Sequence, residues 1–174
     1  MKNLICAYLV TVVLCFSTNA FAFGQSKFEK EVVTEASAIK LLREVQQGGY
    51  DVVTTEELHK AIESGEDVLI IDTMPYEDSY KKNHIPGAKQ FLFPIPEMVE
   101  WDTEETGGKS ISDYESFLGE DKDKKIVVYC GFVKCTRSHN GAMWAAKLGY
   151  KNVYRHPGGI FAWKGANFDV AKEE

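Results

Sequence analysis

Val127-Val128-Tyr129-Cys130-Gly131-Phe132-Val133-Lys134-Cys135-Thr136-Arg137-Ser138 is the stretch on which the fold turns. Ile126 to Tyr129 is a short, wholly apolar run, as expected of a strand covered on both faces. Beyond Thr136 or Ser138, the residues Ala142, Met143, Ala145, Ala146 and Leu148 keep helical spacing until Gly149 stops them. The pattern predicts a cysteine that leaves a buried strand, a loop, and then a helix.

The same alternation extends in both directions. Upstream, Val68-Leu69-Ile70-Ile71 is a second buried strand with Asp72 at its carboxyl end. A short helix precedes it, opened by Thr54 and Glu57 at capping-box spacing and closed by Ser64-Gly65. A helical turn over 76–82 leads to His84-Ile85-Pro86-Gly87-Ala88. Phe91-Leu92-Phe93 then predicts a third strand, ended by Pro94 and Pro96. The acidic segment 97–108, which contains Trp101, predicts a surface excursion. Ser112 is expected to cap a helix carrying Tyr114, Phe117 and Leu118. Downstream, Asn152-Val153-Tyr154 predicts a short strand, and Gly158-Gly159 a last helix with Ile160, Phe161 and Trp163. Strands alternating with helices, the strands apolar throughout, give an α/β domain with a mainly parallel sheet. Ligands in such sheets bind beyond the carboxyl ends of the strands, where Asp72 and Cys130 fall.

The chain begins with a different kind of segment. Lys2 is followed by an apolar run from Leu4 to Phe16, and Ala20-Phe21-Ala22 fits a small-x-small cleavage site. Residues 1–22 are therefore expected to be a cleavable signal peptide, and the protein to be exported to the periplasm with no membrane segment after removal. Residues 23–49 form an extension in which Phe28, Val32, Ala36, Ile39, Leu42 and Val45 lie near helical spacing, closed by Gly48-Gly49. This amphipathic helix is expected to pack on its own domain, which occupies 50–174. The formal net charge of −6 argues against a nucleic-acid partner. Of four cysteines, Cys6 and Cys15 fall in the signal, so only Cys130 and Cys135 remain for local chemistry.

Backbone N–H groups at a helix start have no helical partners and carry positive potential. A loop wrapped before that start can aim several of them at one point. The expectation is that they stabilise a Cys130 thiolate, lowering its pKa below the free value of roughly 8.5. The loop residues Gly131, Phe132, Val133, Lys134, Cys135, Thr136 and Arg137 would form the cradle, with Lys134 and Arg137 adding charge and Asp72 supporting the loop amides. Such a cradle suits a persulfide or a sulfur oxyanion. His84 and Asp72 are expected to be structural, and His156 to lie near the pocket mouth without an assigned task. A metal site from Cys130, Cys135 and His139 has too weak a spacing to be expected.

Cys130 after its strand, His84-Ile85-Pro86-Gly87-Ala88 upstream and Gly158-Gly159-Ile160-Phe161-Ala162-Trp163 downstream together resemble the rhodanese domain over about residues 50 to 170. The resemblance implies a central parallel five-stranded sheet flanked by helices. It also implies an activity: sulfane sulfur passes from a donor onto Cys130, then from the persulfide to a thiophilic acceptor, with no cofactor. Three features depart from the family's pattern. Cys135 stands where many such loops carry Arg, with Arg137 two residues later, so the loop is longer. The strand-end Asp-Val-Arg is here Asp72-Thr73-Met74, and Cys135 adds a second thiol. The expected partners are a small sulfur-containing anion or polysulfide and a protein thiol acceptor. Three other readings stay open: a thiol–disulfide redox or sensing module using Cys130 and Cys135, an oxyanion enzyme of the arsenate reductase or phosphatase kind, and a non-catalytic partner-binding protein.

Overall fold

The structure, a computed structural model, describes residues 26–173. The signal segment 1–22, with Cys6 and Cys15, lies outside the described residues. Five parallel strands form one sheet in the order β1-β5-β4-β2-β3: β1 Asp51–Val52, β2 Val68–Asp72, β3 Lys89–Gln90, β4 Lys125–Tyr129 and β5 Asn152–His156. The helices are α1 Lys27–Gly48, α2 Thr55–Glu63, α3 Ile111–Leu118, α4 Arg137–Lys147 and α5 Gly159–Gly165, with a single π-helical turn over Tyr76–Tyr80. No described helix is long and apolar enough to cross a membrane.

Side-chain alternation along β4 divides the core. Ile126 and Val128 face a layer with Phe91, Phe93, Tyr114, Leu118, Ala142 and Ala145, while Val127 and Tyr129 face Leu58, Ile70, Ile85, Ile160 and Trp163. Burial on both faces is why β2 and β4 carry so few polar residues. Each large side chain so buried contributes roughly 1.5–3 kcal/mol. Capping boxes at Ser26/Glu29, Thr54/Glu57 and Ser110/Asp113 start α1, α2 and α3 by satisfying N–H groups that the helices cannot.

Several local expectations are corrected. Ser110, not Ser112, caps α3. The third strand is Lys89–Gln90; Phe91 and Phe93 come after it, buried, and still donate to the carbonyls of Asp72 and Thr73 at 2.9 and 3.3 Å. The excursion over 97–108 is anchored. Asn140 donates to Pro94 O (3.0 Å) and Pro96 O (2.8 Å) and accepts from Met98 N (2.9 Å), and the Trp144 indole donates to Met98 O at 2.9 Å. Trp101 packs on Trp144, Phe91 and Phe93. α1 packs on its own domain, against α4, but of its apolar stripe only Val45 reaches the core. Phe28, Val32, Ile39 and Leu42 stay exposed, whereas Glu44 and Gly48 are buried. A charged residue on the buried face of a helix needs a partner, and the partner lies at the candidate site.

Candidate active site

Cys130 follows the last residue of the central strand β4, and its backbone is fixed from α5. The first free amides of that helix are committed to it: Ile160 N donates to Cys130 O and Phe161 N to Gly131 O, both at 3.0 Å. Gly159 makes the approach possible. It has φ +58°, and a Cβ there would sit 2.1 Å from the Cys130 carbonyl oxygen. The Gly-Gly segment noted in the sequence is thus the anvil against which the active loop starts.

The two thiols are free and close together. Cys130 is wholly buried. Its Sγ lies 3.2 Å from Ser138 Oγ, 3.4 Å from Cys135 O and 3.9 Å from Phe132 O. Two carbonyls and the Ser138 amide and hydroxyl face it, and burial, the largest effect, pushes the thiol pKa well up. The nest expected around Cys130 is divided: the Ser138 amide faces Cys130, while the amides of Arg137 and Gly131 face Cys135. The half-buried Cys135 sulfur faces the Cys130 thiol and the amides of Arg137 and Gly131. These contacts, led by the Cys130 thiol and helped by the Arg137 charge, outweigh burial and lower the Cys135 pKa to about 6. The cause is loop length. α4 begins only at Arg137, so its first free amide falls at Cys135 and only the next, that of Ser138, is left to Cys130.

The cation at the site is Arg155, which the sequence reading did not single out. It is fully buried near the end of β5. Its Nη2 donates to Cys135 O (2.8 Å) and Val133 O (3.1 Å), its Nε to Ser138 Oγ (2.9 Å), and its Nη1 to Glu44 Oε2 of α1 (2.6 Å). Because Ser138 Oγ accepts from Arg155, its own hydrogen is free to point at Cys130 Sγ. Burial pushes the Glu44 carboxyl upward, but hydrogen bonds and charge from Lys40 and Arg155 prevail and hold it below the usual range. Lys40 also donates to Thr136 Oγ1 (3.1 Å) and Lys134 O (3.3 Å). The N-terminal helix thus closes the outer side of the loop. A strand ending at Tyr154, as predicted, conceals this arginine; extended by two residues, the alternation places Arg155 beside buried Val153.

The remaining predicted residues divide. Gly131 and Arg137 supply amides, but the Arg137 guanidinium turns away to the Phe93 carbonyl. Lys134 is exposed, and only its carbonyl is engaged by another side chain, Lys40. Neither is the sulfur-facing cation expected. Val133 contributes its carbonyl and Thr136 its hydroxyl. Phe132 is exposed, with its ring 5.5 Å from exposed Phe161, so the two form an apolar rim. Asp72 accepts from Met74 N at 2.8 Å and leaves Oδ2 without a partner. It therefore braces its own strand exit rather than the Cys130 loop amides, and burial pushes its pKa to about 6. His84 bonds Tyr80 O at 2.9 Å and stacks on Tyr80, a structural part. His156 is buried rather than at a pocket mouth, and His139 is buried with Nδ1 2.8 Å from Tyr50 Oη. Trp163 is a core residue.

Comparison with known proteins agrees with this fold. The rhodanese-like domain profile matches residues 54–166. Among solved structures, thiosulfate sulfurtransferase from Pseudomonas aeruginosa is 19% identical with a TM-score of 0.57, covering 80% of this chain and 23% of that one. The polysulfide-sulfur transferase homodimer from Wolinella succinogenes is 12% identical with a TM-score of 0.54, covering 87% and 96%. At these identities the likeness is one of fold. A curated relative, tRNA uridine(34) hydroxylase from Erwinia tasmaniensis, is 45% identical over 47 residues, which span 26% of this chain and 13% of that protein. Strand order, the cysteine at the end of the central strand and the profile match agree: the chain belongs to the rhodanese-like domain family.

Proposed function

We propose that the protein is a sulfurtransferase that takes sulfane sulfur onto Cys130 as a persulfide and passes it to a thiophilic acceptor, such as a protein thiol. The observation that carries this reading is the Ser138–Arg155 pair beneath the Cys130 sulfur, at 3.2 and 2.9 Å in sequence. A hydroxyl polarised by a buried guanidinium is a charge-assisted donor for a thiolate or persulfide. The chemistry needs no metal or organic cofactor. Access to the buried sulfur requires the 131–136 loop to open, and Cys135 is the group that can receive the Cys130 proton as it does so.

The donor favoured is polysulfide or an organic persulfide rather than thiosulfate. The Arg137 guanidinium is committed to Phe93 O, Lys134 points to solvent, and the rim is made of Phe132 and Phe161. A sulfite-like leaving group therefore meets few free cations, while a polysulfide chain meets an apolar edge. Two fold relatives carry the names thiosulfate and polysulfide-sulfur transferase, which is compatible with either donor. Export, proposed from residues 1–22, places the reaction outside the cytoplasm, and N-terminal sequencing of the secreted protein tests the cut before Phe23. The functional test compares polysulfide, thiosulfate and 3-mercaptopyruvate with wild type, Cys130→Ser and Cys135→Ser. Intact mass is expected to show one added sulfur on Cys130, lost in Cys130→Ser. Absence of that adduct with every donor overturns the reading.

A further inference from the structure

We propose that Cys130 and Cys135 act as a dithiol that reduces sulfane sulfur to sulfide, with Cys135 resolving the Cys130 persulfide. The proposal rests on the sulfurtransferase reading and adds a second product and a second acceptor, the protein's own thiol. Its ground is a juxtaposition. Cys130 Sγ lies 3.4 Å from the Cys135 carbonyl oxygen, so the two residues are in direct contact, and the Cys135 sulfur faces the Cys130 thiol and the Gly131 and Arg137 amides. The carbonyls of Cys135 and Val133 are pinned to Arg155 at 2.8 and 3.1 Å, so the loop holds the second sulfur beside the first.

The steps balance without an unnamed reactant. With a polysulfide donor, the Cys130 proton passes to the Cys135 sulfur, and Cys130 Sγ attacks the terminal sulfane sulfur. The donor's S–S bond breaks, and the shortened polysulfide leaves with the electron pair. Cys135 Sγ then attacks Cys130 Sγ; the persulfide S–S bond breaks, and the outer sulfur leaves as hydrosulfide, taking the proton from Cys135. One sulfane sulfur is reduced by two electrons, and two thiols are oxidised to a disulfide. Turnover needs an external dithiol reductant to reopen that disulfide. The amides and the Arg137 charge at Cys135 favour attack because they stabilise negative charge as Cys135 Sγ gives up its proton to the departing sulfur.

The test is a single turnover of the reduced full-length protein with one equivalent of polysulfide and no added thiol. Wild type is expected to release stoichiometric sulfide and to gain a Cys130–Cys135 disulfide in peptide maps. Added dithiothreitol should then make release catalytic. Cys135→Ser and Cys135→Ala are expected to form the Cys130 persulfide more slowly, to retain it, and to release sulfide only at background. A wild-type protein that accumulates persulfide without disulfide or sulfide overturns the inference and leaves sulfur transfer standing. A persulfide mapped to Cys135 in wild type overturns the proposed order. No adduct and no sulfide in any variant overturns both readings together.

Discussion

Removing the charge of Glu44 strands a guanidinium inside the protein. Arg155 is fully buried, and of the groups it contacts only Glu44 carries a negative charge; the Cys135 and Val133 carbonyls and Ser138 are neutral. Opposite charges about 4 Å apart attract by about 4 kcal/mol at an effective dielectric near 20. Breaking a buried pair from one side typically costs about 3–5 kcal/mol. Glu44 keeps 10% of its side-chain surface, and an amide oxygen at this position still accepts from Arg155. For Glu44→Gln we therefore expect a cost at or somewhat below the lower end, about 2–3 kcal/mol. A domain of this size shifts by about 2–4 °C per kcal/mol, so Tm should fall by about 4–12 °C. Urea unfolding at neutral pH measures the free energy, and Arg155→Met with the double variant completes a cycle. The coupling should be favourable by at least about 1 kcal/mol. Because the folded pKa of Glu44 is depressed, this stabilisation is present above the unfolded carboxylate value near 4.5 and is lost as pH falls through the lower folded value. A Glu44→Gln protein within about 0.5 kcal/mol of wild type, with unchanged acid sensitivity, refutes the clamp.

Three further outcomes are expected. Alkylation of Cys135 should rise with pH around a midpoint of about 6, while buried Cys130 reacts far more slowly; peptide-resolved labelling across pH 4 to 9 checks both, and a Cys130 that reacts first contradicts the geometry. Asp72 has a folded pKa of about 6 against an ordinary 3.8, so its contribution is complete below the unfolded value and lost as pH rises through the folded one. Wild type should thus lose up to about 3 kcal/mol between those pH values relative to Asp72→Asn, and parallel stability–pH curves for the two proteins would be contrary. Gly159→Ala forces a Cβ toward the Cys130 carbonyl at positive φ, and should cost about 2–4 kcal/mol in denaturant unfolding and lower sulfur-transfer activity; a neutral effect would show that this contact yields freely.

The sheet was legible because its two central strands are apolar on both faces and the helices between them carry caps or glycine stops. β1 was not: it is two exposed residues, Asp51 and Val52, whose only strand signal is the partner they pair with. The loop was legible as a place but not as a geometry. Strand, cysteine and helix locate Cys130, yet the point where free amides converge depends on the residue at which α4 begins, and that residue favours Cys135. Arg155 escaped because its worth lies in Glu44, a residue distant in sequence on a helix whose apolar stripe suggested a different buried face.

The pairing of β1 with β5, Asp51 opposite Tyr154, sets the order in which the molecule can be completed. The first strand finds its only neighbour in the last one, and α1 finds its counter-charge on that same last strand. A nascent chain must therefore hold its opening helix and strand in waiting until almost everything else has been made. Contacts of such long sequence separation slow folding and lengthen the exposure of unpaired edges. Reactivity at the cysteines is thereby tied to completion, since the loop acquires its clamp only when both ends of the chain have met.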